Sequence, residues 1–157
     1  MERCLPSVES TQRFAGAIAA VARSGDLVVL AGEMGAGKTA FVQGFARRLG
    51  VDDAVTSPTF TLVHTYDGDV RVHHLDVYRL ERLSELADLA IDELLDDGVV
   101  LVEWGDVVAD ALPGPFLQVE LSFGPGIDDR VASLSERGSA WTKRLPVIEA
   151  ATEAFSC

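Results

Sequence analysis

Residues 27–49 read LVVLAGEMGAGKTAFVQGFARRL. The apolar run Leu27–Ala31 enters a glycine-rich turn, and a stretch with Phe41, Val42, Phe45 and Leu49 at helical spacing follows it. A short continuous apolar run predicts a strand buried on both faces, and the later spacing predicts a helix from Thr39 to Leu49 with Gly50 just past its end. Between them, Gly32 to Thr39 fits G-x-x-x-x-G-K-[ST], the phosphate-binding loop pattern, in the strand–loop–helix setting that the pattern requires. Its glycines let successive N–H groups turn inward around an anion, and a side chain at Gly35 or Gly37 is expected to obstruct that approach. Lys38, one of only two lysines in the chain, would reach the β- and γ-phosphate oxygens. The Thr39 hydroxyl would ligate Mg²⁺, and the amides of Glu33, Met34, Gly35, Ala36, Gly37, Lys38 and Thr39 would wrap the phosphates at the helix N-terminus.

Magnesium in such a site usually needs a carboxylate at the end of a neighbouring strand. Residues 99–104, VVLVEW, form a second buried-strand run whose carboxylate, Glu103, ends it. Trp104 beside it either covers the nucleotide or packs under the following loop. Residues 59–78, TFTLVHTYDGDVRVHHLDVY, read as a β-hairpin about Asp67-Gly68. A two-residue turn there sets Thr65 opposite Val70 and Val63 opposite Val72, and extrapolates to Thr59 opposite Asp76. Asp76 is the other acid near the sheet, and Arg79 is a candidate internal arginine finger. His73 and His74 point to opposite faces of a strand, which argues against a zinc site built from them with Asp76. Residues 56–60, TSPTF, suit a loop touching the γ-phosphate or equally a plain turn. Guanine selection of the Asn-Lys-x-Asp kind is excluded, because the chain contains no asparagine; ATP is the expected nucleotide.

Elsewhere, helices are expected over 10–22 and 83–95, and a final strand pair in FLQVELSF and DRVASLS; the tail beyond Ser139 receives no assignment. A chain of 157 residues that is 48% hydrophobic suits one domain, residues 1–157, with a sizeable core. The opening MERCLPSVES lacks the features of a secretory signal, and no apolar run is long enough for a membrane span, so a cytoplasmic protein is expected. The two cysteines, Cys4 and Cys157, offer neither a metal-ligand spacing nor a disulfide framework and are assigned no role. The formal charge is −12, from 25 carboxylates against 13 Lys and Arg, which repels polyanions and argues against tight direct binding of nucleic acid. Much of it lies between Glu81 and Asp110, either a solvated face or a docking surface for a protein partner.

LAGEMGAGKTAFVQGFARRLG, VTSPTFTLVHTY, HLDVYRL and VVLVEWGD, in this order and spacing, resemble the TsaE family of small P-loop ATPases in bacterial tRNA threonylcarbamoyladenosine synthesis. The resemblance covers roughly Thr11 to Leu112. It implies an α/β, three-layer P-loop NTPase fold: a mixed, mainly parallel sheet flanked by helices, with a β-hairpin insertion. It also implies that Lys38 and Thr39 bind phosphate and Mg²⁺, that Glu103 completes the metal site, and that Asp76 acts in hydrolysis, also as a metal ligand. Thr59 would respond to nucleotide, Trp104 would lie at its pocket, and Thr11 would touch it. The cofactors implied are ATP and Mg²⁺, and the implied partners are TsaB with TsaD, which transfer threonylcarbamoyl to a tRNA adenosine. The competing readings are a small-molecule kinase of P-loop type, for which no arginine-bearing lid is visible, and a nucleotide-dependent binding module without turnover.

Overall fold

The structure, a computed structural model, describes residues 1–58, 62–78 and 80–157. The expectations for Thr59, Phe60 and Arg79 lie outside those residues. The strands are β1 (Glu2–Leu5), β2 (Leu27–Ala31), β3 (Val63–Tyr66), β4 (Val72–Asp76), β5 (Val99–Glu103), β6 (Phe116–Phe123) and β7 (Arg130–Arg137). The helices are α1 (Val8–Ala19), α2 (Lys38–Arg48), α3 (Leu83–Asp88), α4 (Ile91–Leu95) and α5 (Leu145–Ala151).

All the strands join one sheet in the order β1-β7-β6-β2-β5-β4-β3. The central neighbours β6, β2, β5 and β4 pair parallel, while β7, β1 and β3 are added by antiparallel pairing. Alternation along the strands divides the apolar residues between two cores. Val28, Leu30 and Leu101 face Phe14 of α1 and Phe41 and Phe45 of α2; Leu27, Val29 and Val102 face Leu86, Ile91 and Val108. β2, and β5 up to Glu103, are therefore apolar along their length, as their sequences predict, and the architecture is three-layered.

Four features depart from the sequence reading. The hairpin pairs Thr65 with His73 and Val63 with Leu75, so the expected register is wrong. Its loop runs from Asp67 to Arg71 because the turn docks on the end of α2, where the Asp69 amide donates to the Leu49 carbonyl at 2.7 Å. A Cβ on Gly68 would lie 2.5 Å from that oxygen. Contact with another element has overridden a local turn preference, and the Asp76 amide consequently donates to the Leu62 carbonyl at 3.2 Å, so Asp76 stands level with residue 62.

The helix expected over 83–95 is broken into α3 and α4 at Ala90, whose φ is 51°. In a continuous helix Leu86 and Ile91 would be rotated about 140° apart; the break lets both enter the same core. The start of the chain, unassigned by pattern, is an edge strand paired to β7.

The cysteines are bonded to each other, contrary to the expectation of no role: Cys4 and Cys157 form a disulfide with Cα atoms 5.1 Å apart. The packing that joins the ends of the chain is not local. Arg3 on β1 donates through Nε to Thr152 Oγ1 at 3.0 Å and through Nη2 to the Glu149 carbonyl at 3.1 Å.

The tail is anchored by Trp141 and Ile148, both buried, and by Arg144, whose guanidinium meets Asp26 at 2.5 and 2.8 Å. The side chains of this ion pair are only 9% and 10% exposed. Removing one member leaves the other charge buried and poorly matched, so Asp26→Ala should cost about 3 kcal/mol. Urea unfolding measures this; a loss under about 1 kcal/mol would mean that Arg144 is adequately served by the Val21 and Ala140 carbonyls it also contacts.

Candidate functional site

β2 delivers the glycine loop at the carboxyl edge of the sheet, where the ends of β4 and β5 supply Asp76 and Glu103 as register neighbours. Ligands of open α/β sheets bind at this edge. The loop's shape is set first at Gly32, with φ 137°, where a Cβ would lie 2.3 Å from the Leu121 carbonyl oxygen of β6. Gly35 and Gly37 also have positive φ, but the nearest atoms to a Cβ there are 3.9 Å away. Within the chain, the constraint at these two positions is therefore backbone conformation. Gly37 caps α2 without a side-chain hydrogen bond, which leaves the first-turn amides and the positive end of the helix dipole to an anion.

Lys38 is buried at the base of the loop. Its Nζ donates to the Gly32 carbonyl at 2.5 Å and the Glu33 carbonyl at 2.9 Å, and lies 3.9 Å from the centre of the Trp104 ring. Burial pulls its pKa below the ordinary lysine value, while Glu103, Asp76 and Asp106 act in the opposite sense. A polyanionic ligand at this point would replace lost hydration with opposite charge. In the first turn of α2 the Thr39 hydroxyl donates to Glu103 Oε1 at 3.4 Å. The other oxygen of Glu103 lies 2.5 Å from His74 Nε2. Asp76 is held by the Ser57 hydroxyl on Oδ2 at 3.2 Å and by the Tyr78 amide on Oδ1 at 2.9 Å. Tyr78 and Trp104 pack ring to ring at 4.8 Å, so Trp104 both packs and borders the site.

These groups enclose a cleft of about 350 Å³, lined by Met34, Gly35, Gly37, Lys38, Thr39, Asp76, Glu103 and Trp104 of the residues expected from sequence. Three expected residues stand apart from it. Ala36 is fully buried beneath the loop, and Glu33 turns toward an adjoining cleft with Asp106 and Glu120. Thr11 is buried behind Gly37, and its hydroxyl donates to the Ser7 carbonyl at 3.3 Å. His73 and His74 do face opposite ways: His73 bonds Asp97 at 2.6 Å and Thr65 at 2.9 Å, and its hydrogen bond holds the Asp97 carboxyl below its ordinary pKa.

The sequence matches the family model described as threonylcarbamoyl adenosine biosynthesis protein TsaE over residues 5–129. The chain belongs to the TsaE family. Among curated relatives it is 42% identical to the TsaE of Bacillus subtilis over 135 residues, covering 85% of this chain and 84% of that one. It is 39% identical to the TsaE of Mycobacterium tuberculosis strain H37Rv over 141 residues, covering 83% and 84%. A crystal structure titled YdiB, from Bacillus subtilis, superposes with a TM-score of 0.78 at 32% identity, covering 98% of this chain and 95% of that one.

The TsaE match reaches through β6, beyond the stretch carrying the quoted motifs. Several contacts of this TsaE-family site had no signal in the sequence. Arg130, from β7, donates to the Gly35 carbonyl at 3.1 Å and lies over the Phe123 ring, bracing the loop from a strand that no local pattern links to it. His74 is half visible: strand alternation gives its face, but only the packed sheet shows that its partner is Glu103.

Proposed function

We propose that this chain binds ATP with Mg²⁺ in the loop cleft and hydrolyses it, supporting threonylcarbamoyl transfer to a tRNA adenosine by partner proteins of the TsaB–TsaD type. What carries the reading is the convergence of a buried lysine, a helix N-terminus without a side-chain cap, a hydroxyl and two carboxylates on one cleft. The donor set fits the ion: Mg²⁺ typically takes one or two protein oxygens and fills its octahedron with phosphate oxygens and water, and Thr39 and Glu103 offer two adjacent oxygens. When bound, Mg²⁺ would neutralise charge on the β- and γ-phosphates.

The protein's own part is positioning. Lys38 and the loop amides hold the phosphates, Thr39 and Glu103 hold the ion, and Asp76 acts in hydrolysis from the Glu103 side. Ser57 and Tyr78 limit the directions in which the Asp76 carboxylate can turn. Such a site works by electrostatics and alignment, so a partner that completes or closes it can govern the rate. The net charge of −12 fits a subunit that serves RNA chemistry through other proteins. A cytoplasmic location accords with that role; among the described residues no helix is long and apolar enough to cross a membrane.

Asp76→Ala tests the assignment of chemistry. Nucleotide affinity should stay within about threefold of the parent, while phosphate release in the presence of partners should fall about 100-fold, as for loss of a group acting in the transition state. Unchanged turnover would remove Asp76 from the reaction, and phosphate appearing on an added metabolite instead of in solution would favour a kinase.

A further inference from the structure

On β4 the side chains alternate. Val72 enters the core beneath α2, Leu75 enters the opposite one, and His74, two residues from Val72, shares the α2 side. On β5, Leu101 faces α2, and Glu103, two residues on, follows it. His74 stands level with Leu101 across the parallel pairing, which places its ring diagonally below Glu103. The imidazole is completely buried and Glu103 is 4% exposed. Their contact, Nε2 to Oε2 at 2.5 Å, lies inside the protein, away from the cleft lining that includes Glu103 but not His74.

An apolar side chain would fill this core position without a polar cost. The imidazole instead leaves Nδ1 with no hydrogen-bond partner among the described residues. What it contributes is one directed hydrogen bond: Nε2 donates, because the oxygens of an ionised carboxylate only accept. The terminal torsion of a glutamate is soft, so Glu103 on its own could present either oxygen, or both, to the cleft. With Oε2 fixed by His74, Oε1 is the oxygen toward Thr39 Oγ1.

We propose that His74 is a positioning residue for the metal site, clamping Glu103 so that a single carboxylate oxygen is presented beside the Thr39 hydroxyl to a divalent cation. It touches neither nucleotide nor ion and acts only through Glu103. The inference rests on the reading of Glu103 as a magnesium ligand.

The test is binding, not turnover: a fluorescent ATP analogue titrated onto the purified full chain in EDTA and over a series of Mg²⁺ concentrations. In His74→Leu the Mg²⁺ concentration giving half of the affinity gain should rise about tenfold, the usual effect of removing a hydrogen bond that orients a ligand. Affinity in EDTA should be unchanged. His74→Gln, whose amide nitrogen falls near the place of Nε2 and can donate to the same oxygen, should return the midpoint to within about threefold of the parent. A merely structural histidine would move the melting temperature and leave the Mg²⁺ midpoint in place. Should His74→Leu fail to fold, His74→Met gives the same comparison with an adaptable apolar side chain. A folded variant lacking the donor but keeping the parent midpoint overturns the inference, as does His74→Gln behaving like His74→Leu. If the parent binds nucleotide identically with and without Mg²⁺, the assignment of Glu103 falls and the clamp with it; a normal Mg²⁺ response in the parent separates that failure from the first.

Discussion

Lys38→Ala is expected to lower ATP affinity about 100-fold or more, measured by calorimetry or by displacement of a fluorescent analogue. The ammonium is held at the bottom of the loop by two backbone carbonyls, at 2.5 and 2.9 Å, and is capped by the Trp104 ring. Because burial disfavours its charge, a triphosphate arriving there meets a cation with little hydration left to lose. Charge-assisted hydrogen bonds are worth about 1.5–3 kcal/mol each, and a loss of about 3 kcal/mol corresponds to roughly a hundredfold in affinity. The fold should be little affected, because the loop is shaped by Gly32 against Leu121 and by Arg130 on Gly35. Lys38→Arg should also bind weakly: the longer planar guanidinium keeps the charge but needs more room than a compact ammonium. Affinity within threefold of the parent in Lys38→Ala would refute the phosphate site.

Gly44→Ala should strongly destabilise the fold, although helix propensity predicts the reverse. Replacing glycine by alanine in an open helix interior gains about 1 kcal/mol. At Gly44, however, α2 crosses α1 so closely that a Cβ would stand 2.3 Å from the carbonyl oxygen of Gln12, 2.4 Å from its Cα and 2.7 Å from its carbonyl carbon. None of these is the end of a flexible side chain, so the helices themselves must separate, opening the packing of Phe14 on Phe41. Overpacking of this kind costs about 1–3 kcal/mol in adaptable cores, and the top of that range or beyond is expected against rigid backbone.

Gly16→Ala is the matched control. It also lies in a helix at this crossing, but the nearest atoms to its Cβ are 3.8 and 3.9 Å away, so propensity should win and stability should hold or rise by about 0.5–1 kcal/mol. Thermal unfolding of the two variants side by side checks the sign reversal; equal behaviour would mean that the crossing yields more easily than its geometry indicates.

The glycine pair illustrates why parts of this protein were legible and others not. The loop, its strand and its helix could be read because their signals lie within about twenty neighbouring residues and each has a local cause: buried β-branched side chains, positive φ, an amphipathic repeat. Glu103 was recognisable as the acid ending a buried strand, and Asp76 as the acid ending the run that follows the hairpin. The hairpin register was misread because Asp69 and Gly68 answer to Leu49, an atom outside the hairpin. The 83–95 segment was misread because a helical spacing does not reveal a single left-handed residue at Ala90. Cys4 and Cys157 stand 153 positions apart, too far for any local pattern to pair them.

By itself the sequence determined the glycine loop, the predominantly parallel α/β design and the residue types that gather at its carboxyl edge, because alternation, glycine torsions and helix periodicity act over short stretches. Only the tertiary structure decided which oxygen of Glu103 faces Thr39, that His74 meets Glu103 and Arg130 meets Gly35, how the tail is fastened through Arg144 and Asp26, and that the two ends of the chain are joined. Those features depend on distances between elements remote in sequence, and such distances are set when the cores on both faces of the sheet close-pack.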